Sequence, residues 1–269
     1  MLSENTTFRT GIGAEHGLCL SIEFNGRHVL FDTGASDTLL RNAGNIPLFI
    51  QDLKAVFISH GHYDHTGGLL RVMHLFDIPA YAHPDILCKR YVVRKKKARS
   101  IGLPYSAEEL ERNRVINRVM LNRGHESMDG FTLTGEIPRI CPFEKPYPYF
   151  FHDPERKRPD IVDDDQSLYI KTSSGLVVFL GCAHAGLVNT LSHVLKLSSE
   201  RRIHWIIGGT HLMDASQEKL RKTGEALSEI DFDYISPMHC TGMRGHHFFH
   251  THFRKKYRPL FCGDCATIE

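Results

Sequence analysis

The sequence predicts an α/β protein, and three observations support this prediction. Short runs rich in β-branched and aromatic residues alternate with segments whose apolar residues have helical spacing. Two β-hairpins of similar pattern are predicted far apart in the chain, at residues 17–34 and 168–184. Several predicted strands end in short turns that carry histidine, aspartate or cysteine. This alternation is typical of α/β proteins, whose functional groups often lie on such turns.

The two hairpins resemble each other in sequence. The first has GLCLSIEF and RHVLFDTG on either side of Asn25-Gly26, the dipeptide most favoured in tight hairpin turns. The second has LYIKT and LVVFLGCAH on either side of SSG. Both are apolar enough to be buried, and both end in a turn of small residues. The likeness predicts two related half-domains, each with a sheet whose strand ends face a common site.

The remaining predicted elements extend the same alternation. Three strands run into turns that contain histidine, at residues 54–60, 201–212 and 232–242. Apolar spacing predicts helices at residues 66–76 and 215–229. The last of these strands has His239 and Cys240 at its end.

Residues 86–160 depart from the alternation. They contain a basic run, RYVVRKKKARS, for which a solvated helix face is predicted and an anion-binding lid is the alternative. They also contain a predicted helix at residues 106–121. A proline-rich stretch follows at residues 141–159. We expect residues 86–160 to be a lid-like insertion that covers or borders the site, within a single domain spanning residues 1–269.

Charge and hydropathy indicate which partners and which cellular location to expect. The formal net charge of +2 gives no reason to expect nucleic acid. The polar N-terminus, MLSENTTF, lacks an apolar signal core, and no apolar stretch approaches the roughly 20 residues of a membrane helix. We therefore expect a cytoplasmic protein with no membrane partner. The sequence leaves the oligomeric state open, a homodimer included.

The cysteines do not predict a disulfide framework. There are 7 of them, an odd number scattered over a long chain. Cys262 and Cys265 form a single CXXC near the end of the sequence, and no role is assigned to them.

The densest cluster of polar residues is SHGHYDHTGG, residues 59–68. His60 and His62 alternate at the end of a predicted strand, so their imidazoles point to the same side. Asp64 and His65 follow where the chain must turn into a helix. Buried imidazoles and carboxylates need a partner, and a metal ion is the partner for which these groups are the usual ligands. The cluster therefore predicts a metal site, with one pair of ligands for each of two ions.

HGHYDH resembles the signature of the metallo-β-lactamase fold superfamily, an αββα sandwich that binds zinc, iron or manganese between its sheets. The resemblance continues along the chain through FDTG, GCAHAG and PMHCTG. With TGEIPR, DDQSL and GGTHL, the sequence is most similar to one branch of this superfamily. That branch contains the 7,8-dihydropterin-6-methyl-4-(β-D-ribofuranosyl)aminobenzene-5′-phosphate synthases and uncharacterised metal-dependent hydrolases.

The resemblance implies a set of ligands. His60 and His62 match the first metal site of the superfamily, whereas Asp64, His65 and His239 match the second. Asp32, in FDTG, matches an aspartate that orients ligand histidines through hydrogen bonds. The implied cofactor is a pair of divalent ions, with zinc as the first expectation and manganese or iron as alternatives.

The sequence departs from the superfamily at two later motifs. Three aspartates, residues 163–165, stand where a histidine is expected before a strand. After the next strand, Cys182 and His184 stand in GCAH, where an aspartate or a cysteine is expected. We predict that His184 completes the first metal site, because its longer side chain can reach back across the strand tips. Cys182 remains the rival, because thiolate is a good zinc ligand.

Two activities and one binding role follow from this pattern. The first is hydrolysis of a small anionic, phosphate-containing substrate by a metal-activated water, with Asp64 binding metal and holding the water. His211 is predicted to contact substrate or transfer a proton, and Glu136 and Arg139 to bind substrate, Arg139 as a phosphate clamp. The branch resemblance implies a transferase instead, in which a pterin pyrophosphate is displaced. A non-enzymatic metal sensor is the third alternative.

Overall fold

The computed structural model describes residues 1–46, 52–95, 97–113 and 116–268, and in it the chain forms two compact units. The first unit comprises Met1–Arg123, Tyr147–Asp164 and Phe261–Asp264. The second comprises Gly124–Pro146, Asp165–Leu260 and Cys265–Glu269.

Strands and helices are distributed over both units. The strands are β1 (Leu20–Phe24), β2 (Arg27–Phe31), β3 (Leu53–Phe57), β4 (Ala80–Ala82), β5 (Tyr91–Arg94), β6 (Lys97–Ser100), β7 (Val119–Leu121), β8 (Glu126–Met128), β9 (Phe131–Leu133), β10 (Phe150–Phe151), β11 (Ser167–Thr172), β12 (Gly175–Leu180), β13 (Ile203–Gly209) and β14 (Phe232–Met238). The α-helices are α1 (Thr38–Asn45), α2 (Tyr63–Thr66), α3 (Leu69–Phe76), α4 (Ala107–Arg112), α5 (Leu187–Ser198), α6 (Gln217–Ser228) and α7 (Gly242–His252). None of the helices in the described ranges is long and apolar enough to span a membrane.

Each unit has one main sheet built on a hairpin. In the first unit the strand order is β1-β2-β3-β4-β7, and in the second it is β14-β13-β12-β11-β9-β8. The β1–β2 and β11–β12 pairs are antiparallel, and the strand that follows each hairpin in the sheet runs parallel to its second strand. The two half-domains that the hairpin sequences predict therefore correspond to these two units.

Apolar side chains from strands and helices form a separate core in each unit. In the first, Val56 and Ile58 pack with Val72 and Met73 of α3. In the second, Val178 and Ile206 pack among residues of α5, α6 and α7. The parallel strands β3, β12 and β13 are almost continuously apolar, as is expected of strands that are buried on both faces. Apart from Lys54 and His204, their polar side chains consequently come after the last strand residue.

Two predictions for residues 86–160 are wrong. Within the basic run, Tyr91–Arg94 and Lys97–Ser100 form the paired strands β5 and β6, because Tyr91, Val92 and Val93 favour a strand and because like charges on neighbouring turns of a helix repel each other. Residue 96 of this run lies outside the described residues. The helix predicted at residues 106–121 is limited to Ala107–Arg112, and Val119–Leu121 instead joins the edge of the first sheet beside β4. Residues 114 and 115 lie outside the described residues.

The segment as a whole is shared between the units. Residues up to Arg123 belong to the first unit, and Gly124–Pro146 belongs to the second, where β8 and β9 extend its main sheet. The single domain and the lid role of residues 86–160 stay predictions.

Candidate metal centre

The histidine-rich turn of the first unit follows β3, an inner strand of the sheet. Since β3 lies between β2 and β4, the turn emerges at the carboxyl edge of three parallel strands. His60 and His62 are almost fully buried, at 1% and 5% exposure. The short helix α2 then starts at Tyr63 and places Asp64 and His65 in buried positions. All four predicted ligands of this motif are therefore withdrawn from water together.

The imidazole rings in this turn converge. His60 Nε2 lies 3.0 Å from His62 Nδ1, and the ring centroids of His60 and His65 are 4.2 Å apart. Three buried imidazoles with a carboxylate beside them form a donor set of the kind that binds divalent zinc, iron or manganese. The residues present in the first unit thus fit a metal ion.

Asp32 orients this donor set through hydrogen bonds. Its Oδ2 lies 2.6 Å from His65 Nδ1, and its Oδ1 accepts the backbone N–H of Ser59 at 2.7 Å. Because Nδ1 of His65 faces this carboxylate, Nε2 is the ring nitrogen that His65 presents to a metal. Asp32 itself is fully buried and has a positive φ of 60°, a conformation that non-glycine residues adopt rarely and mostly in functional regions.

Ser59 was not predicted from the sequence. Its Oγ donates to Asp32 Oδ2 at 2.8 Å and lies 2.9 Å from His60 Nδ1. The hydroxyl thereby links the aspartate to a second ligand histidine. The sequence feature that could have suggested this role is the position of Ser59 directly before His60.

A buried ion network supports the backbone between His60 and His62. Gly61 donates its N–H to Asp164 Oδ2 at 2.7 Å, and Asp164 Oδ1 accepts from Arg90 Nη2 at 2.6 Å. Arg90 Nη1 contacts both carboxylate oxygens of Asp160, at 2.9 and 2.8 Å. Burial raises the pKa of Asp164, although Arg90 and the Gly61 N–H favour its charged form. Arg90 is therefore a buried structural cation, which its place in an otherwise exposed basic run did not indicate.

Two further side chains border the turn. His16 Nε2 lies 3.2 Å from Asp64 Oδ2, and the Phe150 ring packs edge-on against His62 with centroids 5.1 Å apart. Neither residue belongs to a recognisable sequence motif. Phe150 therefore covers one side of the His62 ring.

The second unit places its candidate residues after three neighbouring parallel strands. Because β12, β13 and β14 run parallel, their carboxyl ends lie at one edge of the sheet. Ala183, His211 and His239 follow these ends, and all three have φ near +50°. Positive φ at three adjacent strand ends is a conformational cost that non-glycine residues bear mostly where function requires it.

Three metal-binding side chains meet at this edge. The Sγ atoms of Cys182 and Cys240 and a ring nitrogen of His239 lie within 4.8 Å of one another, and all three residues are buried. Cys182 therefore lies beside the predicted ligand His239 within this unit. Cys240 was not predicted as a site residue, although it follows His239 directly.

His184 and His211 form a second, more accessible pair at the same edge. Their ring centroids are 4.5 Å apart, and both side chains are half-buried. Arg139 donates from Nη1 to the His184 carbonyl at 2.7 Å, so this arginine helps to shape the GCAH turn. Glu136 is exposed on the segment that leads to Arg139.

Two buried carboxylates fix the chain that follows His184. Asp165 Oδ2 accepts the N–H of Ala185 at 2.8 Å. Glu144 accepts the N–H groups of Val188 and Asn189 at the start of α5, each at 2.8 Å. Burial raises the pKa of Glu144, although these two hydrogen bonds favour its charged form. Glu144 was not predicted, because it lies more than 40 residues before the helix that it caps.

The family model of the metallo-β-lactamase superfamily matches residues 12–239 of this sequence. The chain belongs to the metallo-β-lactamase superfamily. The prediction of this fold is thereby confirmed, and the matched range includes the histidine-rich turn, GCAH and His239. Membership implies divalent metal binding, which agrees with the donor sets of both units.

Members of the superfamily similar to this chain have different named activities. A Methanocaldococcus jannaschii 7,8-dihydropterin-6-methyl-4-(β-D-ribofuranosyl)-aminobenzene-5′-phosphate synthase is 30% identical over 262 residues, covering 93% of this chain and 89% of the synthase. The crystal structure of Tm1679, a metal-dependent hydrolase of the β-lactamase superfamily, is also 30% identical. It matches 99% of this chain and 97% of its own, with a TM-score of 0.81. The metallo-β-lactamase fold protein YhfI from Bacillus subtilis, at 13% identity and a TM-score of 0.56, shares the fold alone.

Proposed function

We propose that this protein is a metal-dependent hydrolase that acts on a small anionic molecule containing phosphate. The observation that carries the proposal is the buried turn of His60, His62 and His65, with Asp32 and Ser59 fixing the orientation of its rings. Histidines oriented in this way form a site prepared for metal before any ion binds. A purely structural turn has no need of three converging buried imidazoles.

The proposed ligands are those that the sequence indicates. His60, His62 and His184 would hold one divalent ion, and Asp64, His65 and His239 a second, with zinc as the first expectation. A bound ion supplies Lewis-acid chemistry, because it polarises a phosphoryl oxygen and lowers the pKa of water.

The chain's own residues would orient the reactants. Asp64 would accept a hydrogen bond from the attacking water and thereby aim its lone pair, with His16 beside the same carboxylate. His211 would donate a proton to the departing oxygen, since it is half-buried and adjoins His184. Arg139, whose Nη1 holds the His184 carbonyl, would also place its positive charge near the substrate phosphate. Glu136, on the same segment, would contact a polar group of the substrate.

A transferase is the second candidate, and the similarity to the archaeal synthase over 93% of the chain favours it. In that reaction the same ligands would bind the phosphates of an activated pterin, and a carbon nucleophile would take the place of water. Hydrolase and transferase would therefore use the same metal site and differ in the nucleophile, which is water in one and a carbon atom of a second substrate in the other.

One experiment tests both candidates. Purified protein is analysed for bound metal and then assayed with phosphoesters, lactones and a pterin pyrophosphate, with and without an aminobenzene ribofuranosyl phosphate. Release of phosphate or alcohol without the second substrate supports the hydrolase. Pyrophosphate release that requires the second substrate supports the transferase instead. Metal-loaded protein that is inactive in every assay would contradict both.

A further inference from the structure

We propose that Cys182 and Cys240 are sulfur ligands of the ion that His239 binds, and that this thiolate pair makes the site selective for zinc over manganese. The proposal rests on metal binding as proposed above, but not on whether the enzyme is a hydrolase or a transferase. It adds Cys240, which was not predicted as a ligand, and it makes Cys182 a ligand alongside His184 rather than instead of it.

The first observation is the convergence of the three side chains. Two thiols and one imidazole nitrogen lie within 4.8 Å of one another in a buried position, at 3% exposure for Cys182 and 5% for Cys240. Two sulfurs and one nitrogen make up three of the four positions of a common zinc geometry. One position is then left at this ion, so the ion would keep either Asp64 or His65, and not both, of the two further ligands proposed above. Soft sulfur donors favour zinc, whereas manganese prefers oxygen donors.

The second observation is a hydrogen bond aimed at sulfur. The backbone N–H of His211 donates to Cys240 Sγ at 3.3 Å, and the same thiol donates to the Cys182 carbonyl oxygen at 3.7 Å. Hydrogen bonds to the side chains that surround a metal fix their orientation, so this contact helps to hold Sγ in place.

The third observation is the glycine that lets the strand ends approach. A Cβ on Gly209 would lie 2.4 Å from the Gly181 carbonyl oxygen and 2.7 Å from Cys240 Sγ. Any other residue would therefore push β12 and β14 away from the end of β13. The second glycine of GGTHL is explained by the close packing of Cys182 and Cys240 around it.

The test uses cobalt as a spectroscopic probe in place of zinc. The full-length protein, freed of metal and loaded with Co²⁺, should show thiolate-to-cobalt charge-transfer absorption in the near ultraviolet. Cys182→Ser and Cys240→Ser should each weaken this absorption, and the double variant should abolish it. Cys265→Ser is the matched control, because Cys265 is exposed and belongs to the same unit. It should retain the full absorption.

A second measurement needs no variant and so does not depend on folding of the mutants. X-ray absorption at the zinc edge of the unmodified protein should show sulfur scatterers at about 2.3 Å in addition to nitrogen or oxygen at about 2.0–2.1 Å. In competition with Mn²⁺, loss of either thiol should reduce the preference for Zn²⁺ by about tenfold or more.

The outcomes separate this inference from the proposed function. Cobalt bound without charge-transfer absorption, or zinc without sulfur neighbours, would overturn the thiolate ligands and leave the histidine and carboxylate ligands standing. A Cys240→Ser variant with the full absorption would remove Cys240 from the set. Protein that binds neither cobalt nor zinc would contradict the metal-dependent function itself.

Discussion

Asp32 is the residue on which the orientation of the first-unit ligands most depends. One carboxylate contacts the ring of His65 and also the N–H and hydroxyl of Ser59, whose hydroxyl in turn contacts His60. All of these groups are buried, so no water can replace a lost contact at low cost. A single side chain thus sets the rings of two proposed ligands.

Replacing Asp32 by Asn should reduce metal affinity by about 10- to 100-fold, because partners that orient ligand histidines have effects of this size. An asparagine keeps one acceptor, but its NH₂ group would face a donor of Ser59. Chelator competition measures the affinity. Asp37→Asn is the control, since Asp37 is exposed. Equal affinity in the two variants would show that Asp32 does not orient the ligands.

Replacement by alanine should change the free energy of unfolding in opposite directions at Gly67 and Gly44. A Cβ on Gly67 would lie 2.1 Å from the Ala35 carbonyl oxygen, whereas one on Gly44 would meet nothing within 4 Å. Gly67→Ala should therefore lower the free energy of unfolding by about 2 kcal/mol, through displaced backbone. Gly44→Ala, within α1, should raise it by about 0.5–1 kcal/mol. Urea unfolding of both variants checks the pair, and a loss at Gly44 as large as that at Gly67 would contradict this explanation.

At the scale of elements, the turn between β3 and α2 is held by a buried ion network rather than by the turn sequence alone. Asp164 accepts the N–H of Gly61, and Arg90 balances its charge together with that of Asp160. The network joins β5, the turn and the segment before β11 within the first unit. Because a buried charge without its partner is costly, each member depends on the others.

Asp164→Asn should lower the free energy of unfolding by about 3 kcal/mol, because it removes one of the two carboxylates from Arg90. The amide would also present N–H groups either to Arg90 or to Gly61, and either contact opposes the native turn. Asp163→Asn, at an exposed position next to it, serves as the control and should change little. Denaturant unfolding measures stability, and metal affinity shows whether the turn has moved. A variant with normal stability and affinity would show that Asp164 does not support the turn.

Two helices of the second unit carry histidines that should make stability depend on pH. Burial lowers the pKa of His193 on α5 and of His246 on α7. Since the unfolded state takes up these protons from about pH 6.5 downward and the folded state does not, stability is present above that pH and is lost on acidification. His246→Gln should reduce this loss between pH 7 and pH 5. His247→Gln should not, because His247 is exposed on the same helix. Thermal melting at both pH values compares them, and equal slopes would refute the role of His246.

How far each element could be predicted depended on whether its signal was local. The hairpins around Asn25-Gly26 and Ser173-Ser174 are confirmed, because turn chemistry and apolar strands lie within one short stretch. The run around Arg94 was predicted to be helical because its charge outweighed three β-favouring residues. Arg90 and Glu144 could not be assigned, since their partners are tens of residues away. Cys240 lay inside a recognised motif, but its neighbour Cys182 comes from another strand.

At the scale of the whole molecule, the two units repeat one scheme. In each, an antiparallel hairpin is followed by parallel strands, and the polar residues come where those strands end. Asp32 follows the second strand of the first hairpin, and Cys182 and His184 follow the second strand of the other. Corresponding strand ends thus carry different side chains. In one unit it is an aspartate that orients a histidine, and in the other it is a cysteine and a histidine.

Removing metal should destabilise the whole protein, because the proposed ligands come from turns that are far apart in the sequence and an ion bound to them favours only the folded chain. At a free ion concentration 100 times the dissociation constant, binding contributes about 2.7 kcal/mol, which corresponds to roughly 5 °C or more in melting temperature for a chain of this size. Chelation should lower the melting temperature by that amount, and zinc should restore it. The two histidine variants test the ligands themselves. His62→Ala and His239→Ala should each contain less metal, show no activity and lose most of the shift in melting temperature, since each removes a proposed ligand. His247→Gln, which alters an exposed histidine, should behave like the unmodified protein. Full metal content and an unchanged shift in both alanine variants would refute these two ligands.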